Sequence, residues 1–166
     1  MRPFLWGLPA TALVVAADQA AKSAILDHFA DHPEAGPIAL TPWLNLVLTH
    51  NRGITFGFFN GEPGIGAFLF TILALVIVVV LLIWLRQVRH WWAAIAIGAV
   101  IGGAIGNVID RVRLGAVVDF IDFTLPAWNW HWYTFNLADA AICCGVTVLL
   151  LDGLLVRPES PKEASS

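Results

Sequence analysis

Charge is scarce in this chain. Only 13% of its 166 residues are Asp, Glu, Lys or Arg, where a soluble domain carries about a quarter. With 58% hydrophobic residues and a mean hydropathy of +0.77, that shortage excludes an ordinary water-soluble domain. A net charge of −3 leaves no basic footprint, so no nucleic-acid partner is expected. Cysteine is almost missing: Cys143 and Cys144 stand side by side in an apolar run. Helix neighbours point to different faces, which argues against a disulfide or shared metal between them. Both are expected to be small buried residues. His28 and His32 stand four apart but form no His-Glu-x-x-His pattern, His50, His90 and His131 stand alone, and no Gly-x-Ser-x-Gly or Ser–Lys pattern joins them. Metal and serine hydrolases therefore lack support, and neither a metal nor a cofactor is expected.

Long apolar runs are abundant. A bilayer core takes about 20 residues of helix, and four segments qualify: about 4–25, 65–85, 91–109 and 137–156. The first is interrupted by Asp18 and Lys22, the second has no charge, and the third is rich in small residues. The expected fold is therefore an all-α integral membrane protein of one domain over 1–166, with four transmembrane helices and a small extracytoplasmic β-containing region. Arg2, Arg86, Arg89, Arg157 and Lys162 fall on one side if both termini are cytoplasmic, as basic residues prefer. Arg52, Arg111 and Arg113 then lie outside and become candidates for function. The eight Trp suit the membrane–water boundary. A signal peptide over the first span is the rival there, but what followed cleavage would resemble no soluble domain. Residues 157–166 read as a short disordered cytoplasmic tail.

Two loops face outward. In residues 27–64, Trp43 to Leu48 favour a strand between turn residues. In residues 111–134, Val117 to Phe123 are strand-like and precede Trp128, Trp130, Trp132 and Tyr133, a pattern expected to lie on the membrane surface.

The polar residues of these segments are the candidate site. Asp18 and Lys22 are four apart and share a helix face, so a structural ion pair is expected. Asn51 carries an amide suited to a peptide backbone, though Asn51-Arg52-Gly53 reads equally well as a turn. Gly102 and Gly106 allow close helix approach, and Asn107, Asp110 and Arg111 follow at the outer end of the third span. Asn136 and Asp139 open the fourth span, where Asn136 is a natural N-cap. Carboxylates at membrane depth are functional-site candidates by default. Asp110, Asp119, Asp122 and Asp139 all crowd the outer boundary. Two facing acids among them would share a proton and suit peptide hydrolysis.

Five motifs, in order, resemble the lipoprotein signal peptidases (signal peptidase II). They are Asp18-Gln19-Ala20-Ala21-Lys22, Asn51-Arg52-Gly53-Ile54-Thr55-Phe56, Gly102 to Arg111, Val117-Val118-Asp119-Phe120, and Phe135-Asn136-Leu137-Ala138-Asp139. Ala21 stands where many members have Ser, and Ile54-Thr55 where Ala-Ala is frequent; neither is a catalytic position. The resemblance implies a globomycin-sensitive aspartic endopeptidase of the bacterial inner membrane, acting near the periplasmic face. It implies cleavage of diacylglyceryl prolipoproteins on the amino side of the lipidated Cys. It makes Asp119 and Asp139 the catalytic pair, with Asn51, Gly53, Asn107, Asp110, Arg111 and Asn136 binding substrate or supporting them. A monomer in a phospholipid bilayer is expected. The rivals are a small transporter relaying protons through Asp18, Lys22, Asp110 and Asp139, which would need polar groups in the inner half, and a structural membrane subunit, which leaves the polar cluster unexplained.

Overall fold

The computed structural model describes residues 3–53, 65–125 and 130–155. It contains four membrane-length helices: α1 (Phe4–Asp31), α2 (Ile65–Leu85), α3 (Trp91–Leu114) and α4 (Leu137–Leu155). Helix α3 is the centre, with α1, α2 and α4 packed around it. Of its apolar window 67% is buried inside the protein, against 11% to 17% for the others, whose remaining surface is left to lipid.

Lipid tails are as apolar as Leu, so burial alone does not draw such helices together; close packing does. Helix α3 supplies it through glycine. A Cβ at Gly98 or Gly102 would strike the backbone of α1, and one at Gly103 would strike Ala138 and Ile142 of α4. From the other side, Gly145 fits against Ala96 and Val100. These contacts put Ala138, Ile142 and Gly145 on the α3-facing side of α4. Cys143 and Cys144, expected to be buried, point elsewhere and are exposed on the protein surface. A thiol costs nothing against lipid, so apolar sequence alone did not reveal its direction.

Helices α1 and α3 both outrun their expected spans. Helix α1 continues from residue 25 to Asp31, and α3 from residue 109 to Leu114. Arg111 and Arg113, assigned to a loop, therefore sit on the last turn of α3, where cations suit the helix dipole. Gly115 ends α3 at φ +70°, donating its N–H to Arg111 O at 3.0 Å, and the chain turns directly into a strand.

Outside the bundle lies a four-stranded sheet in the order β1-β2-β3-β4, built from β1 (Ile38–Thr41), β2 (Leu44–Asn51), β3 (Val117–Leu125) and β4 (Trp130–His131). All its pairings are antiparallel. Strand β2 extends past the expected Leu48 to Asn51, because Thr49, His50 and Asn51 pair with Asp119, Val118 and Val117. Strand β1 was not anticipated. Tryptophans mark both faces of the bundle. Trp43, Trp130 and Trp132 are exposed on the sheet side; Trp84, Trp91 and Trp92 are exposed at the opposite end, where Trp92 Nε1 donates to Asp152 at 2.7 Å. Residues 54–56 of the second motif, Trp128 and the tail lie outside the described residues.

Candidate active site

Sheet register brings the first acid into place. Asp119 sits opposite Thr49, and Asn51 is two residues along the same face of β2. Asn51 Nδ2 therefore reaches Asp119 Oδ2, at 2.9 Å. The Asn51 Oδ1 atom accepts the Gly53 N–H at 2.9 Å, closing a turn in which Gly53 takes φ +73°. A Cβ there would also strike the Phe70 ring, so Gly53 supports Asn51 through conformation and space. Asn51 thus closes the turn with its oxygen while its NH2 group faces Asp119.

A backbone bridge brings the second acid. Phe135 O accepts the N–H groups of Phe120 and Ile121, and Phe135 N donates to Ile121 O. This lays Asn136 beside β3 just before α4 begins. Asn136 Oδ1 accepts the Asp139 N–H at 3.0 Å, and Asp139 Oδ2 accepts the Asn136 N–H at 3.4 Å, a reciprocal cap of the helix start. The cap leaves the Asn136 amide nitrogen for other partners. It donates to Asp119 Oδ1 at 2.6 Å and to Asn107 Oδ1 at 3.2 Å. Asn107 in turn donates to Asp139 Oδ1 at 2.8 Å. One asparagine thus touches both acids, and a second completes the ring between them.

Beneath this ring lies a buried ionic cluster. Lys22 Nζ is 2.8 Å from Asp18, 2.7 Å from Asp110 and 3.1 Å from Asn107 Oδ1. The expected pair is therefore a triad, with Asp110 in it. Gln19, not singled out from sequence, donates to Asp110 at 2.9 Å, with Asp18 and Gly106 O also in reach. Its signal was present: a second polar residue one place from Asp18 inside an apolar span. Gly106 is needed here because a side chain would collide with the Asp18 carboxylate.

Arg111 leaves this cluster. Its Nη1 reaches Asn107 O at 3.4 Å, its guanidinium lies 5.8 Å from the Phe70 ring centre, and its buried Nε has no partner among the described residues. Asp122 stands apart, held by Asn45 at 3.0 Å. Above Asp119 opens a pocket of about 320 Å³ lined by Thr49, His50, Asn51, Arg52, Tyr133 and Thr134. Burial pushes the Asp119 carboxyl above the ordinary carboxylate range, and the charge of Asp139 adds to that. The Asn51 and Asn136 amides and the charge of Lys22 oppose it without cancelling it.

Residues 10–155 match the family model described as Signal peptidase (SPase) II. The chain belongs to the signal peptidase II family. The lipoprotein signal peptidase of Methylorubrum extorquens is 41% identical over 161 residues, covering 97% of this chain and 92% of its own. That of Nitrobacter hamburgensis is 42% identical over 160 residues, covering 95% and 97%. A solved bacterial membrane enzyme, determined in meso at 1.9 Å, superposes with a TM-score of 0.74 at 27% identity, covering 92% of this chain and 94% of that one. Membership in this family makes the protein a bacterial membrane peptidase. The expected four-span helical fold with a small outer sheet holds, the sheet being larger than foreseen.

Proposed function

We propose that this protein is an aspartic endopeptidase that removes signal peptides from diacylglyceryl-modified prolipoproteins, cutting on the amino side of the lipidated Cys. The observation that carries this reading is the Asn136 side chain, which donates to Asp119 while capping the helix turn that bears Asp139. Both carboxyls accept from Asn136, that of Asp119 from its side chain and that of Asp139 from its main-chain N–H, and close carboxyls hold a single proton cheaply and two charges dearly.

Asp119 is the one that keeps the proton. It is 1% exposed, and its carboxyl is shifted upward, whereas Asp139 is only partly buried. Ionised Asp139 removes a proton from a water between the two. The water oxygen attacks the scissile carbonyl carbon while Asp119 donates to the carbonyl oxygen. As the C–N bond breaks, a proton passes from the pair to the leaving amine, and the carboxyls return to one shared proton. The Arg111 Nε, without a protein partner among the described residues, is suited to a substrate carbonyl. The lipid chains stay in the bilayer beside the helices, and the mature polypeptide leaves on the sheet side. Arg86 and Arg89 after α2 favour a topology with both termini in the cytoplasm and the site near the periplasmic face.

The test uses purified full-length enzyme and a diacylglyceryl prolipoprotein. Wild type cleaves it and globomycin blocks cleavage; Asp119→Asn and Asp139→Asn insert normally and cleave nothing. Full turnover by either variant sinks the assignment. A proton relay across the membrane has no support among the described residues, because the core cluster of Val78, Leu85, Ala94, Ile97, Ile101 and Ala104 is apolar.

A further inference from the structure

We propose that Lys22 is a positioning residue for the aspartate pair, acting through Asn107 and through the two carboxylates that anchor the backbone before each acid. The inference rests on the aspartic peptidase reading.

Lys22 is 2% exposed, and Asp18 and Asp110 are 0% and 3%. A structural ion pair needs one partner, yet Lys22 holds two carboxylates that each carry a second task. Asp18 Oδ1 accepts the Ala138 N–H at 3.0 Å, immediately before Asp139. Asp110 Oδ2 accepts the Val118 N–H at 3.1 Å, immediately before Asp119. One ammonium therefore ties the start of α4 to the start of β3, and so sets the separation of the two acids.

The third contact fixes an orientation. Asn107 Oδ1 accepts from both Lys22 and Asn136. A flipped amide would aim its NH2 at two donors and its oxygen at the Asp139 carboxylate. Lys22 thus keeps the Asn107 donor pointed at Asp139. The neutral amide network of Asn107 and Asn136 supplies no positive charge of its own. The charged groups around the pair are Asp18 and Lys22 from α1, Asp110 and Arg111 from α3, and Arg52 beside Asp119 in the outer pocket, with His50 and Tyr133 also lining it. Removing the Lys22 charge takes away a positive charge that favours ionised Asp119, and so favours its protonated form.

The experiment compares wild type, Lys22→Arg and Lys22→Met as full-length enzymes, reading thermal unfolding, kcat, KM and the pH profile of kcat on a diacylglyceryl prolipoprotein peptide. Lys22→Met is expected to lose kcat by about 100-fold, the scale of a small misplacement at a reacting centre. Its KM stays near wild type, and the alkaline limb of its profile moves to higher pH. Lys22→Arg keeps the charge and a donor, so its alkaline limb stays in place and much of kcat returns. In an Asn107→Leu background the Lys22→Met loss shrinks, because the two act as one unit. A folded Lys22→Met enzyme with wild-type kcat and limb overturns the proposal. So does full additivity with Asn107→Leu, or failure of both Lys22 variants to fold, each of which assigns Lys22 to structure alone. A wild-type enzyme that does not cleave the peptide counts against the proposed function itself and takes this inference with it.

Discussion

At the scale of single residues, the acids differ in what surrounds them. Asp119 is enclosed, and enclosure favours its neutral form. A carboxyl whose folded value lies above its unfolded value of about 3.9 contributes stability that is complete below that unfolded value. The contribution is lost as pH rises through the folded value. At neutral pH the unfolded carboxyl is ionised, so holding the proton on enclosed Asp119 costs the fold stability there. Asp119→Asn turns an NH2 against the Asn51 or Asn136 donor, a loss the same at every pH, so its unfolding temperature relative to wild type is expected to rise by a few degrees between about pH 3 and about pH 7. Differential scanning fluorimetry in detergent at the two pH values checks this. The same shift places the loss of activity at high pH above the ordinary carboxylate range, because Asp119 must keep its proton to act. Asn136 divides into two functions that one substitution separates. Asn136→Asp retains a capping oxygen, which is worth about 1 kcal/mol, but loses the NH2 donated to Asp119 and Asn107. It should cost at least a hundredfold in kcat, and its carboxyl, buried against Asp119, should lower the unfolding temperature far more at about pH 7 than at about pH 3.

At the scale of elements, the site stands on junctions. Asn107 belongs to α3, Asp139 to α4, Asp119 to β3, Asn51 to β2 and Lys22 to α1. Their geometry therefore depends on how closely the helices approach. Gly103→Leu should separate α3 from α4, destabilise the fold by about 1–3 kcal/mol and lengthen the reach from Asn107 to Asp139. Unfolding temperature and kcat should fall together and at acidic and neutral pH alike, unlike in Asn136→Asp. Spans were legible in sequence because bilayer thickness imposes a length. Span two, Ile65 to Leu85, was read to the residue because nothing polar interrupts it. The ends of α1 and α3 were not, because helices continue beyond the lipid where polarity no longer marks a boundary. Strand β1 escaped because Ile38 to Thr41 is four residues long and gains its pairing only from β2. The direction of Cys143 and Cys144 escaped because hydropathy cannot distinguish a helix-facing side chain from a lipid-facing one.

At the scale of the whole molecule, polar groups are segregated. Buried polar residues gather beneath the sheet, and the apolar cluster of α2, α3 and α4 fills the other half. The acids' location at one face was legible from their crowding in the sequence. Which acids pair was named only by the family resemblance, because in sequence nothing separates Asp119 and Asp122, on opposite faces of β3, from each other or from Asp110 on α3. The structure sends Asp110 to Lys22, Asp122 to Asn45, and Asp119 to Asn136. The proposed topology predicts that a fluorescent protein fused after residue 166 will fold and fluoresce in the cytoplasm, whereas a periplasmic C-terminus would leave it dark. The most direct test of the account is cleavage of one diacylglyceryl prolipoprotein by wild type, Asp119→Asn and Asp139→Asn, each shown to be folded. The account predicts cleavage by wild type before the lipidated Cys and none by either variant; product from either variant at the wild-type rate would contradict it.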